Sequence, residues 1–138
     1  MKMMIRSAGL CSAFVLAAVI VTSSAWAQAN DVPQRKELRR ADLSGAPGME
    51  VILSIVEYKP GDAANLHLHH GVEAAYIMEG GMVQAPGKDP VELKTGTPNI
   101  NLRDVPHAGW KVVGDRSIKI LTVHVVDKGK PLYDWVKQ

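Results

Sequence analysis

Apolar and polar residues alternate over short stretches of this chain, and glycine or proline separates one stretch from the next. Alternation with a period of two is typical of strands that bury one face, and no helical period appears downstream of residue 34. The pattern predicts strands over residues 35–41, 49–58, 66–70, 73–78, 82–85, 91–94, 95–103, 109–113 and 117–126. Many short strands separated by turns indicate an all-β antiparallel sandwich or barrel.

Three turns in this pattern predict β-hairpins. Gly80-Gly81 is typical of a two-residue hairpin loop between the strands on either side of it. Residues 86–90 contain two prolines and a glycine and predict a second turn. Gly114-Asp115 is expected to join the last two strands as a pair.

The N-terminal segment departs from the alternating pattern. Lys2 and Arg6 precede an almost wholly apolar run over residues 8–22, and Ala25 and Ala27 place small residues where a signal peptidase cleaves. A transmembrane anchor is the alternative, but the run is shorter than the ~20 residues that a spanning helix needs. We therefore predict a signal peptide over residues 1–27, cleaved after Ala27, and a periplasmic or secreted protein whose mature form is not in a membrane.

Cleavage there leaves 111 residues, enough for a single domain. We expect a flexible lead-in over residues 28–34, a barrel over residues 35–132 and a C-terminal tail over residues 133–138. The formal charge of +2 lies within the signal peptide, which leaves 14 basic and 14 acidic residues in the rest of the chain. This balance gives no indication of nucleic-acid binding. The mature part contains no cysteine, so disulfides and thiolate metal sites are excluded.

Histidines are concentrated in the middle of the chain. His67 and His69 point to the same face of a regular strand, whereas His70 points to the other face unless a bulge exchanges it with His69. Glu73 follows early in the next strand, and antiparallel closure brings His107 within reach. This grouping predicts a metal site, although surface histidines and nearby glutamates also cluster by chance.

Other polar residues leave two interpretations open. His124 shares a strand face with apolar residues. This is more typical of a core histidine whose ring nitrogens are hydrogen-bonded, but His124 could also line a cavity. Asn99, Asn101 and Arg103 alternate with apolar residues, so they face solvent by default or line a polar pocket. Trp135 in the tail is expected to pack on the barrel or on a partner subunit.

The spacing of these residues resembles a known family. Five positions match the first sequence motif of the cupin family, namely Gly61, His67, His69, Glu73 and Gly80. Gly96 stands eleven residues before His107, as in the second cupin motif. That motif is degenerate, because Leu102, Asp104 and Lys111 replace the proline, glycine and asparagine of the family. The resemblance covers most of residues 35–131.

The resemblance implies a fold, a metal and an assembly. The expected fold is a double-stranded β-helix, also called a jelly-roll barrel, in one domain. The expected cofactor is one divalent transition metal ion, which is manganese, iron, nickel, copper or zinc, and its implied ligands are His67, His69, Glu73 and His107. Related barrels often pair through edge strands, which predicts a homodimer.

Three functions agree with such a centre. The favoured hypothesis is a metal-dependent enzyme of the oxygenase, lyase or isomerase type that acts on a small molecule, with Glu73 as a ligand and a possible base. The alternative is a non-catalytic periplasmic protein that binds a metal or a small ligand. A structural metal in an interaction module is the third. Polar residues beside the metal would favour the enzyme, whereas an apolar seal would favour the structural role.

Overall fold

The computed structural model describes residues 31–137, and the signal peptide predicted over residues 1–27 lies outside that range. The described residues form strands, turns and loops without a helix. The strands are β1 Arg35–Asp42, β2 Met49–Tyr58, β3 Ala63–Ala64, β4 His67–Leu68, β5 Gly71–Glu79, β6 Gly81–Gln84, β7 Val91–Leu93, β8 Pro98–Asn101, β9 Trp110–Val112, β10 Ile118–Asp127 and β11 Asp134–Trp135. Between residues 31 and 137, no helix is long and apolar enough to cross a membrane.

The strands form two main antiparallel sheets and one short pair. The larger sheet has the order β1-β2-β10-β5-β8, the smaller has the order β3-β9-β6-β7, and β11 pairs with β4. Buried residues of both main sheets, among them Val56, Ile77, Val83 and Val112, pack in one hydrophobic cluster, so the sheets face each other. The all-β, double-stranded barrel expected from the sequence is therefore confirmed.

Two of the three predicted hairpins are wrong. The strands on either side of Gly80-Gly81 lie in different sheets, and so do β9 and β10. At both places the chain crosses from one sheet to the other instead of turning back on itself. A Cβ at Gly80 would lie 2.1 Å from the backbone oxygen of Leu93, so glycine is needed there for close packing of two backbones. The turn over residues 86–90 does join a hairpin, β6–β7.

A polar belt lies between two apolar clusters inside the barrel. The ten residues of β10 alternate strictly between buried and partly buried positions. Ile118 and Ile120 belong to the larger cluster and Val126 to a smaller one, while Thr122 and His124 are buried between them. Buried polar groups are stable only with partners, so this belt is where a bound ligand or ion is most strongly indicated.

Candidate metal centre

His67 and His69 enter the barrel from the short strand β4 and the residue beyond it. Nδ1 of His67 lies 2.7 Å from the backbone oxygen of Asn65, and Nδ1 of His69 contacts the backbone oxygen of Leu132. A carbonyl oxygen can only accept, so Nδ1 is the protonated nitrogen in each ring. Nε2 of each ring is thereby left as the nitrogen that can bind a cation.

His107 joins them from the loop between β8 and β9. Its backbone forms an isolated antiparallel bridge to His67, with hydrogen bonds of 2.9 and 3.2 Å. Nδ1 of His107 donates to the backbone oxygen of Val105 at 3.0 Å. The ring centroids of the three histidines lie 4.4 to 4.8 Å apart. This backbone bridge thus places His107, which belongs to the second motif, beside His67 of the first motif.

Glu73 completes the predicted group from β5. Its Oε2 lies 3.4 Å from Nε2 of His69 and 3.3 Å from Nε2 of His107. The same oxygen accepts a hydrogen bond of 2.6 Å from Nδ2 of Asn101 on β8, which pairs with Glu73 in the sheet register. The structure therefore brings together the residues predicted as ligands, His67, His69, Glu73 and His107.

His124 lies directly opposite Glu73 on the adjacent strand β10 and is fully buried. Its Nε2 is 3.4 Å from Oε1 of Glu73, and its ring centroid is 4.6 Å from that of His69. Within the described part of the chain, neither ring nitrogen has a hydrogen-bond partner. His124 is thus buried like a core histidine, but its polar atoms are not satisfied.

His70 lies outside this group. Its Nδ1 lies 2.9 Å from Oδ1 of Asp104, and its Nε2 lies 3.4 Å from Oδ2 of Asp134. These contacts hold the ring on the outer side of the strand, as the alternation of the sequence predicts.

Burial and mutual contacts set the charges of the group. Burial lowers the pKa of His67 to about 4 and that of His124 to about 3, so both rings are neutral at neutral pH. Burial alone would raise the pKa of Glu73, but contacts with His107 and His69 hold it well below its usual range. Burial alone would lower the pKa of His107, but its contacts with the Glu73 carboxylate and the backbone oxygen of Val105 together raise it. To bind a cation through Nε2, His107 must leave that nitrogen unprotonated.

The donor set fits a transition metal ion. Nε2 of His69 and Nε2 of His107 are buried without a hydrogen-bond partner among residues 31–137. Two triplets have ligand atoms within 4.8 Å of one another: His67, His69 and His107, and His69, Glu73 and His124. Imidazole and carboxylate are ligands of manganese, iron, nickel, copper and zinc. These groups could hold a metal ion, and the ligand role of each residue stays a prediction.

A cavity of about 380 Å³ opens beside the histidines, between the two sheets. Its apolar part is lined by Val56, Tyr58, Ala64, Ala75, Ile77, Leu93, Trp110 and Ile120. Near the candidate ligands the wall carries Asn99, Asn101 and Thr122, and the hydroxyl of Thr122 is buried without a partner in the described residues. The two asparagines therefore line a pocket, whereas Arg103 pairs with Asp127 at the surface.

The C-terminal tail packs on the candidate metal centre. Tyr133 and Trp135 stack with ring centroids 5.5 Å apart, and both contact the ring of His67. Trp135 thus packs on its own barrel, one of the two alternatives left open by the sequence. The contacts of Tyr133 and Asn101 with the candidate ligands could not be predicted from local sequence. They join residues far apart in the chain and depend on strand register and on where the C-terminal tail packs.

Comparisons with known proteins bear on the fold. No protein-family model and no curated protein matches the sequence. Among solved structures, the chain is similar to the polyketide cyclase RemF from Streptomyces resistomycificus, at 20% identity and a TM-score of 0.50, over 77% of this chain and 75% of that chain. A chain of the DMSP lyases RdDddP and RnDddQII is 19% identical, with a TM-score of 0.50, over 75% of this chain and 52% of that chain. A cupin-like protein from Thermotoga maritima is 22% identical, with a TM-score of 0.48, over 75% of each chain.

The present chain spans about half the length of the lyase chain that it matches. Together with the order and pairing of the strands, the two structures at a TM-score of 0.50 establish the class of fold. The chain has the all-β cupin fold, a double-stranded β-helix, as the histidine motif implied. Proteins with this fold carry out many different reactions, so the fold alone does not identify the function.

Proposed function

We propose that this protein is a metal-dependent enzyme that acts on a small molecule within the barrel. The observation that carries the proposal is the convergence of three histidines and Glu73 beside a cavity of about 380 Å³, whose wall includes His67, Glu73 and His107. Such a volume lies within the range of small-molecule sites. A metal held only for stability would be expected in a closed shell of ligands without adjoining space.

The lining of the cavity supports a substrate with one polar end and an apolar body. Asn99, Asn101 and Thr122 lie near the metal ligands, whereas aliphatic and aromatic side chains line the remainder. Thr122 lies in the cavity wall, and its buried hydroxyl has no hydrogen-bond partner among the described residues. Burial raises the pKa values of Tyr58 and Tyr133, so both phenols stay protonated and act as donors rather than bases.

The chain's own residues orient the reacting groups. His67, His69, Glu73 and His107 would hold a divalent ion, which supplies Lewis acidity toward a carbonyl, carboxylate or hydroxyl when bound. Asn101 holds Oε2 of Glu73 and so fixes the plane of the carboxylate. A general base works best with a pKa near the working pH, and the low pKa of Glu73 therefore favours the ligand role over the base role.

Metal content is the first test of this proposal. Mature protein is purified from the periplasm without added metal, and its metals are counted per chain by elemental mass spectrometry. We expect about one transition ion per chain in the unmodified protein, loss of that ion in His67→Ala and His107→Ala, and retention in the matched control His70→Ala. A chain that holds no metal, even after dialysis against each candidate ion, contradicts the proposal.

Catalysis is tested on the same set of proteins after each has been dialysed against the ion found in the unmodified protein. Small carboxylic acids, enols and hydroxy acids are incubated with each variant, and oxygen uptake and product masses are followed. Turnover in the unmodified protein and in His70→Ala, but not in His67→Ala, supports an enzyme of the oxygenase, lyase or isomerase type. Saturable binding of a compound without turnover would instead indicate a periplasmic binding protein. Export and homodimer formation stay predictions from the sequence.

A further inference from the structure

His124 is placed where a fifth ligand would be. It stands opposite Glu73 in the antiparallel register of β10 and β5, and such cross-strand neighbours have Cβ atoms about 5 Å apart. Nε2 of His124 lies 3.4 Å from Oε1 of Glu73. Two neighbouring donors on one ion with bonds of about 2.1 Å lie roughly 3 Å apart. A donor atom each of His69, Glu73 and His124 lies within 4.8 Å of the other two, so these three side chains could bind the same ion.

A histidine buried for structural reasons has hydrogen-bonded ring nitrogens, whereas both ring nitrogens of His124 lack a partner in the described residues. The rings of His67, His69 and His107 are each anchored through Nδ1 to a backbone oxygen. Among residues 31–137, His124 has no such anchor and no partner for Nε2, although its exposed fraction is 0%. Leaving a buried polar atom without a partner is destabilising, and a bound cation at Nε2 removes part of that cost.

We propose that His124 is a fifth protein ligand of the metal ion, bound through Nε2. This inference rests on the metal site of the proposed function and extends it from four donors to five. On a six-coordinate ion, five protein donors leave one position for substrate or water instead of two. The expected substrate therefore binds the ion through one atom, as a single carboxylate oxygen, hydroxyl or carbonyl does, rather than as a chelate.

The test uses Co²⁺ as the probe, because its visible absorption depends on the number and type of its ligands. Metal-free mature protein, His124→Phe and the control His70→Phe, which makes the same substitution at a histidine outside the candidate metal centre, are titrated with Co²⁺. We expect His124→Phe to bind Co²⁺ roughly 10- to 100-fold more weakly and with an altered spectrum. His70→Phe is expected to keep the affinity and spectrum of the unmodified protein.

A crystal structure of the unmodified protein loaded with Co²⁺ decides the case even if His124→Phe fails to fold. Nε2 of His124 at roughly 2.1 Å from the ion supports the inference. An ion bound by the other four side chains, with Nε2 of His124 more than 3 Å away, overturns it. Weaker Co²⁺ binding by His124→Phe with an unchanged spectrum also overturns it, because His124 would then only position Glu73. Failure of the unmodified protein to bind Co²⁺, and any other candidate ion, overturns the proposed function as well.

Discussion

At the scale of single residues, the least conspicuous contributor to the candidate metal centre is Asn101. It is half-buried on β8, and its Nδ2 donates to Oε2 of Glu73 at 2.6 Å. Groups that orient a metal ligand typically change metal affinity by about 10- to 100-fold when they are removed. We therefore expect Asn101→Leu to weaken Co²⁺ binding at least ~10-fold, measured by competition with a chromophoric chelator.

Asn99 offers a matched comparison for that substitution. Its Nδ2 donates to Oδ1 of Asn101 at 2.8 Å, so it supports Glu73 only through its neighbour. Asn99→Leu should consequently weaken Co²⁺ binding less than Asn101→Leu does. Equal affinities for Asn101→Leu and the unmodified protein would show that the carboxylate is held without the amide.

Residue spacing could predict part of the site and not the rest. His67, His69 and Glu73 share one short segment, and a family motif links them to His107, so their convergence follows from the sequence. The contacts of Glu73 with Asn101 and His124 depend on the register of β5 with both of its neighbouring strands. Alternation tells which face a side chain occupies, but not which residue lies opposite to it.

At the scale of strands, Gly71 controls how closely β5 and β10 can approach. A Cβ at this position would lie 2.1 Å from the backbone oxygen of Val125. Gly71 is two residues from Glu73 in β5, and Val125 is next to His124 in β10. Overpacking of this kind typically costs about 1–3 kcal/mol. Gly71→Ala is expected to lower the free energy of unfolding in urea by at least ~2 kcal/mol.

Gly87 provides the control for this substitution. A Cβ there meets no atom within 4 Å, but the residue has a φ of +66°, so Gly87→Ala carries only a backbone cost of about 1 kcal/mol. A larger loss of stability for Gly87→Ala than for Gly71→Ala would contradict this prediction. The positive φ of a turn glycine would then matter more for stability than the close approach of β5 and β10.

The edge strand β1 is held by charges that respond to pH. Hydrogen bonding to Arg40 lowers the pKa of Glu37 in the folded protein, although partial burial opposes this. Since the folded pKa is depressed, the stabilisation is present above the usual pKa of a glutamate and is lost as pH falls through the lowered value. We expect Glu37→Gln to cost about 0.5 kcal/mol at pH 7, because the pair is mostly exposed.

Urea unfolding at pH 7 and at pH 3 checks this sign. The difference between Glu37→Gln and the unmodified protein should shrink on acidification. A difference that grows toward pH 3 would contradict the role assigned to the Glu37 carboxylate.

Strand positions proved easier to predict than strand partners. The run over residues 49–58 was predicted with the bounds of β2, because it alternates and is closed by Pro60 and Gly61. The hairpin at Gly80-Gly81 was wrong, because two adjacent glycines are equally suited to a tight turn and to a crossing with close backbone contact. Asp104, which replaces a motif glycine, adopts a φ of +58° that aspartate tolerates.

At the scale of the whole molecule, the candidate ligands come from separate parts of the fold. Glu73 and His124 lie in the larger sheet, His67 lies in the short β4–β11 pair, and His107 lies on the loop that leads to the smaller sheet. An ion bound by them would link these parts, and unfolding would require its release. Metal binding should therefore stabilise the entire barrel rather than one loop.

This coupling predicts a thermal shift. A ligand that binds only the folded state at 100 times its Kd adds about 2.7 kcal/mol to the free energy of unfolding, which for a domain of this size raises Tm by roughly 10 °C. We expect saturating Co²⁺ to produce such a shift in the unmodified protein and in His70→Ala, and a chelator to reverse it. In His67→Ala the shift should be largely lost. A Tm that Co²⁺ leaves unchanged, in protein shown to bind it, would mean that the unfolded chain binds the ion as tightly as the folded protein, and would contradict a site assembled by the fold.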